Sequence, residues 1–184
     1  MADRPIPARS EVPEESTWNL KDVFESDEAW QAEYEAFKAV PEQIEAFRGR
    51  LGESAETLLE WFRLNDALSV RLEKLYGYAS CKGDEDTGNG FYQGMRSKAL
   101  ATLVAIDAAS AFETPEIMAL DEDTVNLFYA AQPELETYRR NIYKIRRRKA
   151  HILSPEEEKL LSAAGEMANG PENIASVFRD ADLT

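Results

Sequence analysis

Cysteine and histidine are almost missing from this chain of 184 residues, which holds one of each, Cys81 and His151. A single cysteine excludes an intrachain disulfide, and a lone thiol suits a reducing compartment. The same scarcity excludes a self-contained zinc site, which needs at least three protein ligands drawn mainly from these two residue types. A Cys81–His151 dyad is formally possible. Cys81 falls near the end of an amphipathic segment, however, where a small core hydrophobe is the common role. No stretch approaches the ~20 apolar residues of a membrane helix. Residues 1–16 hold three prolines and no apolar run, so the core of a secretory signal is absent from them. There is no phosphate-cradling Gly-x-x-x-x-Gly-Lys and no dinucleotide fingerprint. Period-2 alternation and fixed-period repeats are likewise missing. Base is scarce beside acid: 21 Lys and Arg against 35 Asp and Glu, a net charge of −14. Such a surface disfavours non-specific binding to nucleic acid or acidic membranes. The chain reads as soluble and cytoplasmic.

What the sequence does hold is helical periodicity. Residues 1–16 form a flexible lead-in rich in proline and charge. Trp18, Leu20, Val23 and Phe24 then predict a short docked turn. Ser26 offers an N-cap with acid in the following turn, and Trp30, Tyr34 and Phe37 recur at helical steps. Pro41 must kink or split this helix. Its pattern resumes through Ile44, Phe47 and Leu51, and Gly52 ends it. A second helix follows Ser54 and reaches about Lys82. Trp61, Leu64, Leu68, Leu72, Leu75 and Ala79 form a coiled-coil-like seam along it. The stretch Gly83–Gly90 reads as a breaker. Within it, Asp84-Glu85-Asp86 lacks the spacing of a calcium loop and reads as a solvated turn capping the next helix. The third helix runs from about Phe91 to Phe112, with small residues that permit close helix approach. Thr114-Pro115, Gln132-Pro133, Ser154-Pro155 and Gly170-Pro171 mark starts of shorter helices, and Ser154 with Glu157 forms a capping box. The expected fold is all-α, an antiparallel array of long helices followed by several short ones. Its expected divisions are 1–16, a bundle over 17–113, and a short-helix segment over 114–184.

Charge is unevenly placed. Residues 11–60 hold 14 acids and 4 bases, whereas 139–149 hold seven bases and no acid. A phosphate-binding face is one reading of that basic helix. The acid excess favours the other, docking against the acidic N-terminal half or an acidic lobe outside the chain. The residues by themselves give an acidic helical module, with no catalytic or metal-ligating residue assigned and no substrate-contacting side chain identified.

Five segments together resemble one family. Ser16-Thr17-Trp18-Asn19-Leu20-Lys21-Asp22-Val23-Phe24, with Ser26-Asp27-Glu28-Ala29-Trp30, is similar to the opening of oligoendopeptidase F. Leu75-Tyr76-Gly77-Tyr78-Ala79, then Asp84-Glu85-Asp86-Thr87, is similar to its next block. Ser110-Ala111-Phe112 with Pro115-Glu116-Ile117 resembles a third. His151-Ile152-Leu153-Ser154-Pro155-Glu156-Glu157-Glu158-Lys159-Leu160-Leu161 resembles a fourth, and Asp180-Ala181-Asp182-Leu183-Thr184 the start of a fifth.

The resemblance implies the non-catalytic N-terminal part of a cytoplasmic zinc peptidase that cuts short peptides, related to thimet-type oligopeptidases. The family's zinc ligands sit in a His-Glu-x-x-His helix with a further Glu downstream, and no position of this sequence matches that motif. Zinc is thus expected in the parent enzyme and not on this chain. The implied partners are the parent's C-terminal catalytic lobe and short peptide substrates, with this part forming one wall of a substrate channel. Acid of residues 11–60 or 84–86 would bias that channel towards cationic peptides. A face normally covered by the lobe would drive self-association. Two other readings stand beside this one: a stand-alone interaction module using the Trp61–Ala79 seam on a partner helix, and a nucleic-acid binder acting through Arg139–Lys149.

Overall fold

The computed structural model describes residues 11–151. The chain separates into two compact units, Met1–Tyr143 and Lys144–Thr184. The described residues are helical and contain no strand, as the periodicity predicts. The starts at Ser154 and Gly170 lie outside them, as does the Ser154–Glu157 capping box.

Helix α1 spans Asp27–Phe37. The Ser26 hydroxyl accepts from the Ala29 N–H at 3.3 Å, and Asp27 and Glu28 place negative charge at the positive end of the helix dipole. Pro41 splits the pattern as expected: α2 spans Val40–Glu45 with the proline in its first turn. This second piece stops earlier than the sequence predicts. Turns occupy most of residues 46–53, and the left-handed residue is Gly49 (φ 78°), not Gly52. Leu51 is nevertheless fully buried. Its spacing reported burial rather than continued helix.

Helix α3 spans Ala55–Glu85 and is about 46 Å long at 1.5 Å per residue. Ser54 caps it, accepting from the Thr57 N–H at 3.1 Å. The expected breaker over Gly83–Gly90 takes effect only after Glu85, where α3 ends. Gly83 is helical and buried, and its carbonyl accepts from the Gln93 side chain at 2.9 Å. An added Cβ would make ordinary van der Waals contact with that same amide, at 3.4 Å. The chain reverses over residues 86–89, and α4 spans Gly90–Ser110 antiparallel to α3. Asn89 caps α4, not the acid triplet. Asp84 instead pairs with Arg96 at 2.8 Å across the hairpin.

Helix α5 spans Glu113–Ala119. Thr114 is therefore inside the helix rather than its cap, and Pro115 sits in the first turn, where its missing N–H leaves no hydrogen bond unmade. Helix α6 spans Glu122–Ala131 and is capped by Asp121, which accepts from the Thr124 N–H at 2.6 Å. At Pro133 the chain forms a 3-10 turn, Pro133–Tyr138, that leads into α7, Arg139–Arg147.

The core of the first unit lies where α1 and α2 fill the groove of the α3–α4 hairpin. Trp30, Phe37, Val40 and Ile44 are buried there with Trp61, Leu68, Leu75, Ala79, Ala99 and Ile106. Trp61, Leu68, Leu75 and Ala79 of the seam are thus consumed by the chain's own packing. That removes the surface on which the interaction-module reading relied. Aromatic contacts extend the core: Phe47, Trp61 and Phe112 meet in sequence, and Phe62 stacks on Tyr138 with centroids 4.5 Å apart. Among the described residues no helix is long and apolar enough to cross a membrane.

Candidate functional site

A hollow of about 660 Å³ lies between the N-terminal turns and the end of α3. A 3-10 turn, Leu20–Asp22, forms one side. The start of α1 supplies Ser26, Asp27 and Glu28, and α3 supplies Tyr78, Lys82 and Glu85. The expected docking of this turn is only partly met. Phe24 meets the Tyr78 ring edge-on at 5.5 Å, whereas Trp18 stands 80% exposed on the rim. Asn19 steers the turn locally, donating to Asp22 Oδ1 at 2.9 Å. An apolar hollow of about 350 Å³, lined by Trp18, Leu20 and the half-buried Cys81, adjoins the first.

Asp27 organises the cleft. Its Oδ1 accepts from the Tyr78 hydroxyl at 2.8 Å and its Oδ2 from the Tyr92 hydroxyl at 3.4 Å. One carboxylate therefore ties α1 to both long helices. The Lys82 ammonium lies over the rings of Tyr78 and Tyr92, at 5.7 and 5.3 Å from their centroids. Burial pushes the Tyr78 phenol far above its usual value, and the hydrogen bond it donates to Asp27 adds to the effect. Burial also raises Tyr92, with the Asp27 charge second. Glu28 is exposed and held below the usual carboxylate range by its hydrogen bond with Ser26.

The Tyr78 shift has a defined sign. The folded-state value lies above the unfolded value of about 10, so the phenol's contribution is intact below that pH. It is lost as pH rises through the folded value. Tyr78→Phe is expected to cost about 1 kcal/mol at neutral pH through the lost hydrogen bond. It should also flatten the fall in stability above pH ~10, where the native phenol resists ionisation. Urea midpoints across the alkaline range check this, and parallel wild-type and variant curves there would rule it out.

Glu25, Asp27, Glu28 and Glu85 make the cleft acidic, and Trp18 offers an aromatic face. No group of three or more His, Cys, Asp or Glu is placed to hold a metal among the described residues. The His151 side chain lies outside the described set, so the Cys81–His151 dyad has no geometry to report. Within the basic stretch, Arg139 pairs with Glu136, three residues before it, at 2.5 Å, and covers the Tyr129 ring. Ile142 is buried, while Arg140 and Tyr143 are exposed.

Residues 116–184 match the sequence profile of a family described as Oligopeptidase F. The chain is 40% identical to Oligopeptidase PepF of Bacillus subtilis, over 97% of this chain and 27% of that protein. It is 37% identical to the plasmid oligoendopeptidase F of Lactococcus lactis subsp. cremoris, over 95% of this chain and 29% of the relative. The chain corresponds to the N-terminal portion of the oligoendopeptidase F family. A crystal structure of oligoendopeptidase-F from Enterococcus faecium superposes with a TM-score of 0.62 at 32% identity, over 86% of this chain and 31% of that one. A chain from Chlamydophila abortus has the same fold, at a TM-score of 0.77 and 22% identity. The chain thus spans between a quarter and a third of the length of its oligoendopeptidase F relatives.

The first two sequence blocks that resemble oligoendopeptidase F meet in space. Trp18, Leu20 and Lys21 of the first, with Ser26, Asp27 and Glu28, face Tyr78 and Glu85 of the second across the cleft. About fifty residues of chain separate these blocks, so spacing alone gave no sign of their meeting. The third block sits at the α4–α5 joint, where Phe112 and Ile117 are buried. The fourth, after His151, and the fifth lie outside the described residues.

Proposed function

We propose that this chain is the non-catalytic helical part of a zinc-dependent oligoendopeptidase, and that it forms part of the wall enclosing short peptide substrates. One observation carries the reading: 97% of the chain aligns at 40% identity with barely a quarter of a longer peptidase. The residues present do not fit zinc. One histidine and one cysteine fall short of its usual ligand set, and no cluster of three candidate ligands exists among the described residues. The metal and the chemistry it supplies therefore belong to the remaining part of the parent, and no reaction step passes through this chain. The acid lining of the cleft supports a bias towards cationic peptides. A cytoplasmic setting belongs to the same reading and rests on the lone thiol.

The test divides the parent after Thr184. This chain alone, supplied with zinc, is expected to leave matched Lys-rich and Glu-rich quenched peptides intact. Co-expression with the remaining part is expected to give hydrolysis, faster on the Lys-rich peptide. Hydrolysis by this chain alone would overturn its non-catalytic role. Full activity of the remaining part without this chain would overturn its place in the substrate wall, and equal rates on the two peptides would remove the charge bias.

A further inference from the structure

Helix α4 is apolar on two sides, and the fold uses only one of them. Met95, Ala99, Ile106 and Ala109 face the core. On the outer side, Ser97, Leu100, Ala101, Val104, Ala105 and Ala108 recur at three- and four-residue steps and are part or fully exposed to solvent. Leu100 is 49% and Val104 58% exposed. No residue from 99 to 106 is charged. A helical stretch without charge on any side, as here over 99–106, is typical of the interior of a larger protein. Helices α1 and α3 differ in this respect, since each turns a charged face outward.

The surface continues sideways. A groove of about 270 Å³ runs beside Ala101 and Ala105 to Tyr34, Phe37 and Pro41 of α1 and α2. Its edge carries two lysines. Lys38 is paired with Glu35 at 2.5 Å. Lys98 meets the Gln31 amide oxygen at 3.5 Å and the Tyr34 ring at 5.5 Å, and its charge also acts on Glu35, whose carboxyl is held low first by its hydrogen bond with Lys38. Alanines four apart, such as 101 and 105, leave a shallow groove into which a second helix packs at close range.

We infer that the outer face of α4, with the adjoining groove, seats a helix from the remaining part of the parent chain. That helix would be apolar along one stripe, with a carboxylate opposite Lys98. The occupant is identified by length and charge. The matched region covers 31% of a related peptidase chain, so more than two thirds of such a chain is available to cover this surface. The groove's lining includes Lys38 and Lys98 and no carboxylate, the nearby Glu35 being shared between the two lysines, and that positive balance suits an acidic helix edge. This inference rests on the function proposed above, because it needs a longer parent.

Val70 on α3 supplies the comparison, being 57% exposed, close to Val104. Val104→Cys and Val70→Cys are introduced separately into the full-length parent, whose length is fixed beforehand by intact mass. Labelling by a maleimide is followed on the individual peptides, native and in urea. The expected result is that the cysteine at 104 labels about tenfold or more slowly than that at 70 in the native parent, with equal rates in urea. Equal native rates in a longer parent would overturn the inference while leaving the proposed function standing. Protection at 104 that disappears on dilution would overturn it as well, assigning the face to a second copy. A parent no longer than this chain would fail the proposed function itself, and the inference with it.

Discussion

Trp30→Ala is expected to remove about 3–5 kcal/mol of stability, the usual range for emptying a buried large aromatic site. Trp30 is fully buried, and its indole N–H donates to the Leu75 carbonyl at 2.8 Å. Its ring stacks on Tyr34 at 5.6 Å. One side chain therefore holds α1 against the middle of α3, at a point where the cavity left by alanine cannot collapse without moving a long helix. Such a loss is a large fraction of the 5–15 kcal/mol typical of a domain. Trp30→Phe keeps much of the volume and loses the hydrogen bond, so its cost should be smaller, about 1–3 kcal/mol. Urea unfolding followed by far-ultraviolet circular dichroism measures both. Equal midpoints for Trp30→Ala and wild type would remove Trp30 as the main clasp between α1 and α3.

Glu116→Ala should have the second largest effect. The carboxylate of Glu116, on α5, accepts from the Gly49 N–H at 2.6 Å and from the Leu51 N–H at 3.1 Å. It closes the turn after α2, where Gly49 takes a left-handed backbone and Leu51 enters the core. Hydrogen bonds to a charged group contribute about 1.5–3 kcal/mol when solvent is excluded. The site is partly exposed, so a total of about 2–3 kcal/mol for the pair is expected. Glu116→Gln retains an acceptor oxygen but not the charge, and should fall between wild type and alanine. A further sign would be faster amide exchange at Gly49 and Leu51 in the alanine variant. Unchanged exchange at both amides would show that the turn holds without the carboxylate.

Neither residue announced these roles in the sequence to the same degree. Trp30 was legible as core, because it sits at helical spacing with Tyr34 and Phe37 behind a serine cap. Its acceptor lies 45 residues away, and no local pattern encodes that distance. Glu116 was visible as part of a helix start after Pro115 and of the third family-like block, neither of which names a partner. Its contact to the turn 65 residues earlier arises from the docking of α5 beside the end of α2. The cleft shows the same division. Each of its walls could be read as a segment, but the Asp27–Tyr78–Tyr92 arrangement exists only once α1 lies across the α3–α4 hairpin.

The misread boundaries share one cause. Gly83 has the local preference of a breaker, yet it is helical and buried, with its carbonyl accepting from the Gln93 side chain of α4. The stretch 46–53 carries buried residues at helical spacing while its backbone turns, since burial fixes a side chain's position and not its hydrogen-bond ladder. Trp18 is apolar in composition and exposed in place. Nothing in its neighbours distinguishes a core tryptophan from a rim one.

The sequence by itself determined the helical class, the caps at Ser26 and Ser54, the split at Pro41 and the shortage of zinc ligands. These follow from side-chain chemistry acting within one or two turns of backbone. It also carried the family resemblance, through short blocks in order. The tertiary structure alone decided which apolar faces are covered. Between Ala99 and Ile106 helix α4 carries no charge on any side, so its periodicity there has no direction to report. Only the packing of α1 and α3 against one side reveals that the other is open, because burial is a property of pairs of surfaces and a single strip of sequence holds one member of each pair.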